Sequence, residues 1–278
     1  MKIKNILMTA AIALVGVASA HADSYQRGDL LLAFRAPTGT TGADINFVID
    51  LGAATDFRNL TGTLQLANVG SQLASIYGSD WNSRTDLSWG VVSTDAKTGS
   101  AVNGDPAKTS YISLAEASFG THSDDPTFGS GARSTISTQV YAFSDAFAAS
   151  AGANATTGIS MGSSTTGSWS YYYDDSQNMT YSFGSGISFE GAVGNGVDTS
   201  DAALDLFRIL NTTSGANPTG TVGLGSYEGS FTLSNNGQIS FTDNLQAVPE
   251  PSTYAMLGVG AVAAFGVMRR RRLSAAQA

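Results

Sequence analysis

The chain has 278 residues, no cysteine, 22 acidic against 14 basic residues and a net charge of −8. The absence of cysteine excludes disulfide scaffolds, thiolate catalysis and zinc–thiolate sites. The acidic balance argues against nucleic acid as a partner, because binding it needs a basic footprint.

At the N-terminus, Lys2 and Lys4 form a basic start, Ile6 to Val17 is apolar, and Ala18-Ser19-Ala20 and Ala20-His21-Ala22 are small-x-small cleavage sites. These features read as a signal peptide over residues 1–22, cut after Ala22 or, nearly as well, after Ala20. Signal peptidase and the export machinery are the partners this implies. The body that follows, residues 23–247, is about 225 residues, enough for one sizeable domain or two small ones. It holds eight basic residues, while all 22 acidic residues lie between Asp23 and Glu250, so the exported part carries −14. Such a surface stays soluble outside the cell and attracts cations.

Along the body, Asp29–Arg35 reads as a first strand, with a turn at Pro37-Thr38-Gly39. Asn46–Leu51 reads as a second strand closed by Gly52. Val69, Leu73, Ile76 and Tyr77 recur at helical spacing and predict one short helix. Leu87–Ser93 and Thr109–Leu114 are strand-like. Ser134–Phe143 alternates through Ile136, Thr138, Val140 and Ala142, and Ala142–Ser150 reads as a candidate second helix. Gly152–Gly167 is rich in small residues and reads as a loop. Trp169–Asp174 and Met179–Phe183 bracket a polar stretch in a hairpin-like pattern. Leu204–Leu210 fits a helix capped by Asp201 or a strand, and the alternation of Leu204, Leu206 and Arg208 favours the strand. Near the end, Asn236-Gly237 between two alternating runs, Gly225–Leu233 and Gln238–Phe241, is the strongest hairpin signal in the chain. Short strands with frequent turns predict a mainly β body, an antiparallel β-sandwich or jelly roll with one or two short helices.

Candidate chemistry is sparse. Gly158-Ile159-Ser160-Met161-Gly162 matches the G-x-S-x-G pattern of serine hydrolases, but it sits in the small-residue stretch and no histidine follows it. His122 reads as a solvated loop residue, with Asp124 and Asp125 as its only nearby partners for a metal. Those carboxylates, or Asp174 and Asp175, leave structural calcium open, although no EF-hand pattern is present. No cofactor is otherwise expected. A glycosidase would need two carboxylates in an aromatic-lined cleft, and the spacing of Glu116, Glu190 and Glu228 selects no pair. Trp169 and Tyr171 to Tyr173 fit core packing, or stacking on sugar rings. The expectation is a non-enzymatic body. A module that binds carbohydrate, or less readily ice, is the alternative, and an extracellular hydrolase ranks behind both.

The tail is the most specific segment. Val248-Pro249-Glu250-Pro251 is stiff and extended, because its prolines fix the backbone and remove two donors. Tyr254–Met268 is an uncharged run of 15 residues. As a helix it spans about 22 Å, and Ser252, Thr253 and the arginine stems bring it near the bilayer core of about 30 Å. Arg269, Arg270, Arg271 and Arg272 then form a cationic stop that suits a cytoplasmic flank. A transmembrane helix over about 252–268 is therefore predicted.

Motif, helix and arginine cluster together resemble the PEP-CTERM sorting signal of Gram-negative bacteria. The resemblance implies that exosortase, a membrane protease-transpeptidase, reads Pro249, Glu250 and Pro251. Cutting near the motif would then release the body or attach it at the cell surface. A link to exopolysaccharide, biofilm or floc follows from the same resemblance. Similar tails are also labelled as the C-terminal domain of ice-binding proteins, a label that describes the tail and not the body.

Overall fold

A computed structural model describes residues 25–95, 104–116, 122–151, 158–173, 181–194, 202–211 and 223–243. Its strands are β1 (Asp29–Arg35), β2 (Ile45–Ala53), β3 (Thr63–Asn68), β4 (Ser88–Thr94), β5 (Ser110–Ala115), β6 (Ile159–Gly162), β7 (Glu190–Ala192), β8 (Ala202–Ile209), β9 (Ser226–Leu233) and β10 (Gln238–Asp243). The helices are α1 (Ala54–Arg58), α2 (Gly70–Tyr77), α3 (Ser130–Ala151) and α4 (Tyr181–Gly184). The mainly β, antiparallel class predicted from the sequence is observed. The strands join one curled ten-stranded sheet, in the order β3-β10-β9-β8-β5-β4-β1-β2-β6, with β7 pairing β4 off that path.

Leu30 to Phe34 of β1 are fully buried on both faces of the sheet. An uninterrupted apolar run requires cover on both sides, and two separate cores provide it. In the first, Leu30, Leu32 and Phe34 join Phe47, Ile49, Trp89 and Val91 with Phe231 and Phe241 from the far strands. The curl makes this possible. Phe57 of α1, directly after β2, meets Phe231 at 5.7 Å and Phe241 at 5.2 Å, although β2 and β10 are six strand positions apart. At about 4.8 Å per strand a flat sheet would hold them nearly 30 Å apart. Helix α2 closes the end of this core. The Tyr77 hydroxyl lies 2.9 Å from the Phe34 carbonyl and accepts the Phe47 N–H at 3.1 Å.

The second core lies on the opposite face. Leu31, Ala33, Val48, Val92 and Ile112 pack under Ile136, Val140, Phe143, Phe147 and Ala151 of α3. Those five positions recur every three or four residues, the spacing of one helical face. The segment expected to alternate as a strand at 134–143 is thus part of a 22-residue helix. Thr138 and Ala142, which suggested alternation, point to solvent. The described residues of the predicted hairpin at 169–183 do not form strands either. Residues 170–172 form a 3₁₀ turn and 181–184 one turn of helix, with 174–180 outside the described residues. Trp169, Tyr172, Tyr173 and Phe183 all enter the second core. A strand would send Tyr172 and Tyr173 to opposite faces, so burial of both favours the tight turn. Gly90 admits Trp169: a Cβ there would come within 2.7 Å of the indole.

The hairpin of β9 and β10 forms as expected, with Gly237 at φ 85° in the turn. Its backbone also meets the start of α2, where Val69 N–H bonds the Gly237 carbonyl at 2.9 Å and any Cβ would collide with Gly70. Strands near Leu87, Thr109 and Leu204 and the helix at Gly70 are observed close to their expected bounds. The stretch expected as a loop contains β6, an edge strand on β2. Helix α1 and strands β3 and β7 have no counterpart in the sequence reading. Among the described residues no helix is long and apolar enough to cross a membrane. The signal peptide at 1–22 and the expected span near 252–268 lie outside them.

Phe143 tests the second core. It is fully buried and meets Trp169 edge-on at 5.3 Å. Phe143→Ala is predicted to destabilise the protein by about 3–5 kcal/mol in urea unfolding. A loss below about 1 kcal/mol contradicts the packing of α3 on the sheet.

Candidate functional site

The sorting residues Val248 to Pro251, Arg269 to Arg272 and the cleavage positions Ala20 and Ala22 lie outside the described residues. Within the body, Ser160 of the G-x-S-x-G match sits in the edge strand β6, opposite Phe47. A turn follows it, not the helix that a nucleophile elbow requires. Trp81, Trp89, Trp169 and Tyr172 are at most 4% exposed, so none can present a ring to a sugar. Glu190 accepts Nε–H and Nη2–H of Arg35, each at 2.6 Å, and the Trp169 indole N–H at 2.5 Å. Glu228 accepts the Ser226 hydroxyl at 2.7 Å and lies 3.6 Å from Arg208. These carboxylates tie elements together.

Asp29 and Asp50 are brought together as a pair that spacing did not single out. They are 3% and 5% exposed, on the α3 face of β1 and β2 beside Tyr25. Burial raises the pKa of both, and the neighbouring Asp29 further opposes the ionisation of Asp50, so the pair holds a proton well above the usual carboxylate range. Asp95, at the end of β4, is also pushed up to about 7 by burial and then by Asp105. Asp105 in turn receives Arg58, Arg208 and the Tyr111 hydroxyl. These acids are sealed from solvent, which suits a structural role.

The accessible chemistry is on the other half of the sheet. Helix α3 covers β4, β5 and β6, and the same face of β9, β10 and β3 is polar. Two cross-strand rows mark it. One runs Thr63, Thr242, Ser230, Asp205; the other runs Gln65, Ser240, Thr232, Ala203. Neighbouring hydroxyls bond across the strands, Thr63 to Thr242 at 3.0 Å and Thr232 to Ser240 at 2.6 Å. At the inner end of these rows is a cavity of about 210 Å³, floored by Tyr227, Ser230 and Thr232. Glu116 and His122 line it, as do Thr242 and Asp243.

His122 was expected to be a solvated loop residue. Its side chain is 46% exposed, but its ring lies on Tyr227, centroids 4.1 Å apart. Asp205 fixes this loop. Fully buried, it accepts the Ser123 N–H at 2.6 Å and the Ser230 hydroxyl at 2.7 Å, and lies 3.6 Å from His122 Nδ1. Asp125 is 3.8 Å from Nε2, and Asp124 is exposed. Among the described residues no group of three or more His, Asp or Glu is placed to hold a metal ion. Asp174 and Asp175 lie outside them. The sequence separation of His122, Asp205 and Tyr227 hides this site. The only legible trace is the alternation that places Ser230, Thr232, Ser240 and Thr242 on one face.

Residues 247–272 match the family model of the PEP-CTERM protein-sorting motif. The chain therefore carries that motif at the position expected from Val248-Pro249-Glu250-Pro251. The motif indicates an exported protein sorted to the cell surface by exosortase. No curated protein and no solved structure matches the chain.

The buried acids predict a pH dependence. Their folded-state pKa values exceed the ordinary 3.8. Between about pH 4 and 7 the folded chain keeps protons that the unfolded chain has released, so stability falls as pH rises through that window. Asp50→Asn is predicted to flatten the fall and to raise the melting temperature at pH 8. Stability that rises across the window in the wild type contradicts the assignment.

Proposed function

We propose that this chain is a non-catalytic surface or matrix protein of a Gram-negative cell, associated with exopolysaccharide. The single observation that carries the reading is the sorting motif at 247–272. The signal peptide delivers the body outside the cytoplasm, and the apolar run before Arg269 holds the chain in the inner membrane. Exosortase then reads Pro249 to Pro251, so the anchor is temporary. A run of 15 residues suits a temporary hold better than a permanent one. The acidic body supports life outside the cell, where like charge keeps it soluble. The non-catalytic assignment draws support from the burial of the paired carboxylates Asp29 and Asp50 and from the edge-strand position of Ser160.

Mass spectrometry of the mature protein from a host that encodes exosortase tests the processing. The released or surface pool is expected to end near Pro251 and to lack Arg269 to Arg272. A variant with Pro249, Glu250 and Pro251 all changed to Ala is expected to stay uncut in the membrane fraction. Recovery of the surface pool with the four arginines still attached contradicts the reading.

A further inference from the structure

We propose that the cavity on the open half of the sheet binds one sugar residue of a neutral polysaccharide through His122, Glu116 and Asp243. The proposal rests on the exopolysaccharide reading and gives it a location. The lining contains no Lys or Arg, so phosphate, sulfate and uronate have nothing to pair with. Its carboxylates are acceptors, and sugar hydroxyls are donors. Ser230, Thr232 and Thr242 can both donate and accept. Asp243 Oδ2 is buried at the cavity edge without a hydrogen-bond partner. Among the described residues Glu116, His122 and Asp243 do not form a metal-binding group.

The His122 ring supplies the stacking surface that the buried tryptophans cannot. Its inner face rests on Tyr227, and 46% of its side chain is exposed. Aromatic rings in such pairs present a flat apolar surface with polar edges. Asp205 is the positioning residue, since its two short bonds to Ser123 and Ser230 hold the loop before any ligand arrives. A site organised in advance loses less entropy on binding. A volume of about 210 Å³ suits a single pyranose ring. The polar rows beyond it leave the rest of a polymer lying flat across β9, β10 and β3. One such site is weak alone, and many copies on one polymer give avidity.

The test uses the full chain in detergent, titrated with short neutral hexose oligosaccharides and, separately, with the diamine cadaverine. At least one oligosaccharide is expected to bind at millimolar concentration with little dependence on salt. His122→Ala and Asp243→Asn are each expected to weaken it about tenfold with unchanged melting temperature. Absence of oligosaccharide binding overturns the proposal, and so does binding that both variants retain. Binding of cadaverine alone, lost at high salt, also overturns it by marking a cation site. Co-sedimentation with the host's extracellular polysaccharide separates the two claims. If wild type and both variants sediment alike, the exopolysaccharide link stands and the cavity falls. If the wild type remains in the supernatant while the oligosaccharide results hold, the cavity stands and the link falls.

Discussion

The constraint on which the structure depends is the burial of β1 on both faces. Leu30 to Phe34 offer no polar residue to water, so the sheet needs a cover on each side at that point. The curl supplies one, by bringing the aromatic residues of β9 and β10 round to α1. Helix α3 and the described residues of the segment from Trp169 to Phe189 supply the other. The clamp of Arg35, Glu190 and Trp169 joins that segment to the end of β1. Once these covers are in place, α3 is used up. Its 22 residues extend about 33 Å over β4, β5 and β6, and among the described residues no helix covers the same face of β9, β10 and β3. The polar rows there follow from the architecture, because an uncovered sheet face must be polar.

This dependence explains what could be read from the residues alone. The central strands announce themselves as short apolar runs, and the β9–β10 hairpin through Asn236-Gly237. Both are local signals with local causes. Helix α3 was obscured because Thr138 and Ala142, both exposed, happen to fall in phase with Ile136 and Val140. Its true period appears only when Phe143, Phe147 and Ala151 are included. The Trp169 segment was misread because three consecutive tyrosines suggest a strand surface, whereas their burial under α3 requires a turn. The groove at His122 is not legible, since Asp205 and Tyr227 lie far along the chain and only strand pairing unites them. The tail is the reverse case. Its meaning is held in contiguous residues, and the family match falls on them.

The two halves of the molecule therefore divide the labour. The sorting motif at residues 247–272 specifies export and sorting to the surface. The body offers a sheet with one sealed half and one polar half, and the buried acids Asp29, Asp50 and Asp95 act on stability.

The most direct test of that account is hydroxyl-radical footprinting of the mature protein, free and within its native extracellular matrix. In the free protein, His122 and Tyr227 are expected to be labelled while Phe143, Phe147 and Trp169 are protected. In the matrix, labelling of His122 and Tyr227 is expected to fall, with the core pattern unchanged. Identical footprints in both states would contradict the open face as the working surface.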